Sequence, residues 1–284
     1  MSANLFIVAT PIGNLQDISQ RAITTLQNVS LVAVEDTRHS KKLWSHYGIK
    51  TPMLILNKDN EKYAATKILG AMEQGGDVAL ISDAGTPIIH DPGNLLVAAI
   101  LAAGYEVIPI PGSCALVAAL SVSGMLADSF MFCGFLPAKS TLRKAEIKKV
   151  AELVKPLVFY ESPHRIMATI EDMIEELGSD REAFIAREMT KVHEQYTKST
   201  LGQILTLMQN GDYTIKGEIV LIVAGAALEK IVAGDDILKI SVDKTLLVLM
   251  KNNSLKDSVA MAAEITNMSS NLLYNKALLL RKNQ

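Results

Sequence analysis

The stretch Val78-Ala79-Leu80-Ile81-Ser82-Asp83-Ala84-Gly85-Thr86-Pro87 decides the fold. Four apolar residues stop abruptly in small, acidic and turn-forming ones, and Asp91-Pro92-Gly93 follows at once. A short apolar run ending this way reads as a buried strand that delivers an irregular loop to a cleft. Ligands of open α/β sheets sit beyond such strand ends. Outward from this stretch, apolar runs at 5–9, 31–34, 53–56 and 106–110 predict further strands. Amphipathic patterns at 19–28, 40–47, 60–74 and 92–103 predict the helices between them. This βαβ alternation implies a mainly parallel sheet. Asp91 with Pro92 is expected to open one helix, and Gly48 and Gly104 to close two others in left-handed caps.

Past Pro111-Gly112 the texture changes. A small-residue helix at 114–122 is followed by strands at 130–135, 157–160, 183–186 and 219–223, with helices at 141–154, 163–177 and 201–209. Ser162 and Pro163 are expected at the start of the middle helix. A domain boundary near 112–125 divides 1–112 from 113–230, and 235–284 forms a third region. In that tail seven Lys or Arg stand against five acids. Ser254-Leu255-Lys256-Asp257 reads as the cap of a helix to about 265, Asn267-Met268-Ser269-Ser270 as a break, and 271–280 as a second helix, in a helix-turn-helix layout. Packing on the body or on a partner subunit explains such a tail as well as nucleic-acid contact does.

Composition bounds the class. A chain of 284 residues, 49% hydrophobic, builds one large core or two ordinary ones. A net charge of -2 and a pI near 6.2 leave any nucleic-acid contact to local patches. Only Cys114 and Cys133 occur, so a disulfide framework is not expected and a reducing compartment is. The start has no basic n-region and soon meets Pro11 and Gly13, no apolar run approaches the roughly 18 residues of a membrane span, and a soluble cytoplasmic protein is expected.

The candidate chemistry lies at strand ends. Thr10-Pro11-Ile12-Gly13-Asn14 holds no Lys and only one Gly, so it is neither a Walker loop nor a dinucleotide fingerprint. Glu35-Asp36-Thr37-Arg38 opens a segment, 38–50, with four Lys or Arg and no acid. Pro111-Gly112-Ser113-Cys114-Ala115 starts a helix whose small residues let a ligand approach backbone amides. Tyr160-Glu161-Ser162-Pro163-His164-Arg165 and Arg187-Glu188-Met189-Thr190-Lys191-Val192-His193-Glu194 gather groups that move protons or grip anions. The five histidines lack metal-ligand spacing, so no metal is expected, and no nucleophile elbow is present. Residues 139–155 are a second basic stretch, of net charge +4.

The ordered series Ala9-Thr10-Pro11-Ile12-Gly13-Asn14-Leu15, Glu35-Asp36-Thr37-Arg38, Ser82-Asp83-Ala84-Gly85-Thr86-Pro87, Asp91-Pro92-Gly93, Gly134-Phe135-Leu136-Pro137, Glu161-Ser162-Pro163-His164-Arg165 and Lys216-Gly217-Glu218 resembles the ribosomal RNA small subunit methyltransferase I family of the tetrapyrrole methylase superfamily. The resemblance runs from residue 5 to about 225, and the tail resembles the family's C-terminal extension. It implies a two-domain α/β fold of the class III methyltransferases with a small helical tail, and a homodimer. It implies S-adenosylmethionine as donor and, as acceptor, the 2′-hydroxyl of a cytidine in the decoding region of 16S rRNA or of the small ribosomal subunit. Carried over by position, cofactor contacts fall on Pro11, Gly13, Asp83, Ala84, Gly85, Thr86, Ile89, Gly112, Cys114, Ala115, Glu161 and Met189. Ser113-Cys114 departs from the Pro-Ser that relatives commonly carry, so a backbone contact with the cofactor is expected there and a Ser hydroxyl contact is not.

A general base adds about 10²- to 10⁴-fold to such a transfer. Its candidates are Asp36, Glu161, Glu188 and His193, with Arg38, Lys41, Lys42, Arg143, Lys144, Arg165 and Lys191 as RNA-phosphate contacts. The alternatives are a tetrapyrrole or other small-molecule or protein methyltransferase of the same superfamily, and a non-catalytic RNA-binding protein; the basic stretches and the tail weigh against the former.

Overall fold

The computed structural model describes residues 3–125, 128–226, 245–266 and 269–282. They fall into two compact units, one of residues 1–151 with 155–224, the other of 152–154 with 225–284. The expected break between 230 and 235, the charged residues of 227–244, and Asn267-Met268 of the tail's expected break lie outside the described residues.

The larger unit holds two five-stranded sheets. The first comprises β1 (Asn4–Val8), β2 (Leu31–Val34), β3 (Met53–Ile55), β4 (Val78–Leu80) and β5 (Glu106–Ile110), all parallel, in the order β3-β2-β4-β1-β5. Its helices are α1 (Gln20–Asn28), α2 (Thr37–Tyr47), α3 (Glu61–Glu73) and α4 (Asn94–Ala102). Alternate strand residues face opposite ways. Val8, Val32, Val34, Ala79 and Ile81 therefore pack with α1 and α2, while Leu5, Ala33, Val78 and Leu80 pack with α3 and α4. Gly48 ends α2 in the left-handed conformation, as its position predicts.

The start of α4 differs from expectation. Neither Asp91 nor Pro92 opens it; Gly93 is its N-cap and supplies no side chain. The buried carboxylate of Glu61 substitutes from α3: one oxygen accepts the N–H groups of Gly93, Leu95 and Leu96 at 3.0, 2.7 and 3.2 Å. An anion at a helix N-terminus is favoured by the exposed amides and by the helix dipole.

After α5 (Ala115–Ser123) the second sheet is built from β6 (Met131–Phe135), β7 (Leu157–Glu161), β8 (Glu182–Arg187), β9 (Gln195–Thr200) and β10 (Ile219–Val223), in the order β6-β7-β10-β8-β9. Only β6 and β7 are parallel; the other neighbours run antiparallel. Val158, Phe184, Ala186, Val220 and Ile222 face α5, together with Ile12 from the loop after β1. Leu157, Phe159, Ile185, Leu221 and Val223 face α6 (Ser140–Val150), α7 (Ile166–Leu177) and α8 (Leu201–Gln209). Thus α6 is shorter than its basic pattern suggests. In α7, Arg165 rather than Ser162 is the N-cap, and Pro163 precedes the helix.

In the smaller unit, α9 (Leu255–Thr266) and α10 (Ser270–Lys282) bury Val259, Ala262, Leu273 and Ala277 with Leu246. The Ser254 hydroxyl caps the first of these helices, accepting the Asp257 N–H at 3.2 Å. Among the described residues no helix is long and apolar enough to cross a membrane.

Candidate active site

The carboxyl ends of the first sheet and the strand ends of the second bound a cavity of about 350 Å³ in the larger unit. The loop after β4 forms one wall, with Asp83, Ala84, Gly85, Thr86, Ile89, His90 and Asp91. It is pinned to the loop after β1 by reciprocal backbone hydrogen bonds between Thr10 and Gly85, at 2.8 and 3.0 Å. Gly85 has φ +82°, a conformation that Gly adopts without strain. Ile12, Cys114 and Ala115 line the cavity from the first half of the chain; Phe135, Tyr160, Glu161, Met189, Glu218, Ile219 and Val220 line it from the second.

Several backbone positions here are strained. Ile88, His90, Glu188 and Thr190 are the positive-φ residues other than glycine among the described residues, and all flank this cavity. Such conformations cost about 1–3 kcal/mol each and cluster at functional sites. The room for His90 comes from Gly134, φ +64°, in the irregular stretch of β6: a Cβ there would stand 2.8 Å from the His90 ring nitrogen. His90 also packs on Phe135, with ring centroids 4.9 Å apart.

Five carboxyl side chains line the cavity: Glu35, Asp83, Asp91, Glu161 and Glu218. Burial pushes the Glu35 carboxyl up, with Asp91 and Asp83 adding to the effect; burial raises Asp91 too. Glu161 is buried and fully engaged, accepting from Ser162 N–H at 2.8 Å and from the Thr169 hydroxyl at 2.7 Å, with the Arg165 guanidinium 3.4 Å away. The Tyr160 hydroxyl, raised by burial, accepts the Leu116 N–H at the start of α5. No Lys or Arg lines this cavity, so it suits an uncharged or cationic ligand better than a phosphate.

A second cavity, of about 260 Å³, adjoins the first and shares Ile12, Asp83, Ala84 and Glu218 with it. Its other walls are the 10–15 loop, Ile81 and Ser82, the first turns of α2 with His39, Ser40, Lys42 and Leu43, and Lys191. Gly13 is required at this wall, since a Cβ there would lie 2.6 Å from Lys191 Cγ and from the Thr190 hydroxyl oxygen.

A family model of the Tetrapyrrole (Corrin/Porphyrin) Methylases matches residues 4–205, and one described as the RsmI C-terminal HTH domain matches 238–281. The chain is similar to the ribosomal RNA small subunit methyltransferase I of Pseudomonas aeruginosa, 44% identical over 98% of each chain. It is also similar to that of Haemophilus influenzae, 47% identical over 96% of each. The chain belongs to the ribosomal RNA small subunit methyltransferase I family. Solved structures of lower identity share the fold. Cobalt precorrin-4 methyltransferase aligns with TM-score 0.60 at 14% identity, over 78% of this chain and 94% of that one. Diphthine synthase aligns with TM-score 0.59 at 15% identity, over 78% and 90%.

In this family member the residues expected at the cofactor separate into groups. Asp83, Ala84, Gly85, Thr86, Ile89, Cys114, Ala115, Glu161 and Met189 line the larger cavity. Pro11 and Gly13 line the smaller one, and Gly112 lines neither; a Cβ on Gly112 would stand 3.0 Å from the Ala9 Cβ. Of the expected bases, only Glu161 reaches the larger cavity. The Asp36 carboxylate is taken by the Arg38 guanidinium, which with the Arg38 N–H holds it down at about 2. Glu188 is bonded to Lys191 at 2.7 Å and to the Glu218 N–H. Burial works against its charged form, yet these bonds hold it below the ordinary carboxylate range. The exposed His193 lines neither cavity; its carbonyl accepts from Arg187.

Arg143 requires correction as an RNA contact. It is buried, its Nε donates to Asp172 at 2.6 Å, and its remaining nitrogens donate to the carbonyls of Pro137, Ala138 and Ala168. Lys144 pairs with Glu175, and Arg165 pairs with Glu161 and donates to Leu136 O. Lys41 and Lys42 are exposed on α2, and Arg38 is exposed but paired. Glu35, Asp91, Tyr160 and Glu218 also line the larger cavity; they belong to the strand-end stretches and motifs of the sequence, which gave none of the four a role of its own.

Proposed function

We propose that this protein transfers a methyl group from S-adenosylmethionine to the ribose 2′-hydroxyl of a cytidine in the decoding region of 16S rRNA, in the cytoplasm and as a homodimer. The observation that carries the reading is similarity above 40% to named rRNA methyltransferases along the catalytic unit and the C-terminal segment together. The site supports it. An S-adenosylhomocysteine complex is known for a uroporphyrin-III C-methyltransferase from Thermus thermophilus that shares the fold, with TM-score 0.55. Here the small and apolar wall of Ala84, Gly85, Ile89, Ala115 and Met189 allows close backbone approach, and the nearby carboxyls of Asp83, Glu35 and Asp91 complement a cation. These residues would hold the cofactor, which supplies a methyl group already activated on a sulfonium sulfur.

The chain's own task is alignment, exclusion of water and removal of a proton. Lys42 lines the adjoining cavity, where it can meet a phosphate that flanks a ribose; Lys191 lines it too but is held by Glu188 at 2.7 Å and Glu218 at 3.2 Å. Val117 and Val122, more than half exposed on α5, offer an apolar surface for a second copy. The test is methyl transfer from labelled S-adenosylmethionine to small ribosomal subunits from cells lacking the protein, with nuclease mapping of the label. A single labelled 2′-O-methylcytidine is expected. Label on a base, or none on RNA, overturns the reading.

A further inference from the structure

Resting on the methyl-transfer reading above, we propose that His39, oriented by Asp83, is the general base that takes the proton of the acceptor hydroxyl, and that the smaller cavity seats the acceptor ribose. The two cavities meet at a wall in which Asp83 faces both. Both oxygens of that carboxylate are committed. Oδ1 accepts the Asp36 N–H at 3.1 Å, and Oδ2 accepts the His39 Nδ1–H at 2.9 Å. His39 lines the smaller cavity only, so its ring stands on the acceptor's side of the shared wall.

The tautomer follows from the partner. A carboxylate at Nδ1 keeps the proton there and leaves the lone pair on Nε2, which carries no hydrogen bond among the described residues. An Asp so placed also stabilises the imidazolium formed when Nε2 takes a proton. The other candidates are spent: Asp36 on Arg38, Glu161 on Ser162, Thr169 and Arg165, and Glu188 on Lys191 and the Glu218 amide. The charged groups around His39 are Asp83 and Asp36, with Lys42, Lys191 and Glu218 on the same cavity wall.

In the step, the ribose 2′-oxygen bonds to the methyl carbon as the carbon–sulfur bond breaks and its electron pair returns to sulfur. The hydroxyl proton passes to His39 Nε2 and then to water, leaving a neutral thioether and the methylated ribose. His39 lies 44 residues from Asp83, and nothing in their spacing joins them.

The test is single-turnover methylation of unmodified small subunits across neutral pH at saturating S-adenosylmethionine. Wild type, H39Q, H39A and D83N are compared, with H46Q as control and cofactor affinity measured by equilibrium dialysis. H39Q and H39A are expected to lose about 10²- to 10⁴-fold in rate, with cofactor affinity within about threefold of wild type. Wild type should accelerate with rising pH to a plateau, H39Q should lose that limb, and D83N, which frees the His39 ring from its partner, should lose rate as well. Free imidazole should restore part of the H39A rate. A wild-type subunit reaction that H39Q retains within about fivefold, with its pH limb intact, overturns the base. So does a lost rate in H39Q and H39A matched by lost cofactor binding in those variants, or H39A without imidazole rescue. A wild type that methylates no rRNA overturns instead the reading on which the base rests.

Discussion

Glu61→Ala should be the most informative test of how the cavity wall is held. The Glu61 carboxylate is the cap that α4 lacks, accepting three amides whose only other recourse is water at a buried helix start. Stranding a buried donor costs about 1–3 kcal/mol, and losing an anion at a helix N-terminus adds up to about 1–2 kcal/mol. The three bonds share one oxygen and relax together, so the expected loss is about 3–4 kcal/mol. At about 3 °C per kcal/mol for a unit of this size, Tm should fall by about 10 °C. Glu61→Gln keeps an acceptor and loses the charge, so its cost should be near 1 kcal/mol. Urea denaturation of both variants at neutral pH measures this directly, provided the slope is unchanged. Because the strained 88–90 segment runs into this cap, Glu61→Ala should also weaken cofactor binding while Glu61→Gln leaves it close to wild type. A loss below about 1 kcal/mol for Glu61→Ala, or equal losses for both variants, refutes capping in trans.

Arg143→Ala should destabilise by about 3 kcal/mol, since buried Asp172 loses its 2.6 Å partner and keeps only the Ser140 hydroxyl and Lys144 at 3.5 Å. RNA affinity of the folded protein should stay unchanged, and an RNA-binding defect without a stability defect would reverse the assignment. Glu35→Gln should stabilise the protein at neutral pH. The folded carboxyl sits above its unfolded value, so its ionisation penalises folding as pH rises through the folded pKa, and the penalty is absent below the unfolded one. The gain in urea midpoint over wild type should therefore vanish near pH 4, and an equal gain at both pH values would contradict the burial argument. Replacing exposed Lys41 and Lys42 together by Ala should lower the slope of log affinity for rRNA against log salt by about 2. An unchanged slope removes α2 from the RNA surface.

How much was legible in the sequence depends on what each element needs. The strands at 31–34, 106–110 and 219–223 and the helix at 201–209 lie where their apolar pattern puts them, because burial of that pattern is what holds them. Strand β9, Gln195-Tyr196-Thr197-Lys198-Ser199-Thr200, carries no such pattern. It is an edge strand defined by its ladder to β8 and partly exposed, so pairing rather than hydrophobicity makes it a strand. Ser162-Pro163 resembles a helix start, but 163–165 form a turn whose Arg165 and Ile166 N–H groups donate to the Ser162 carbonyl, and the helix opens only at Ile166.

By itself, the sequence determined the alternation of strands and helices, the loops that wall the larger cavity and the family, since each is written in contiguous residues with local physical preferences. Only the tertiary structure decided which charges are free to act. Arg143 and Lys42 look alike in the chain, yet one is closed in against Asp172 and three carbonyls and the other faces a cavity. Glu61 caps a helix 32 residues away, and Asp83 takes hold of His39 across 44. The role of an ionisable group is set by its partners and its burial, and those are properties of the folded chain.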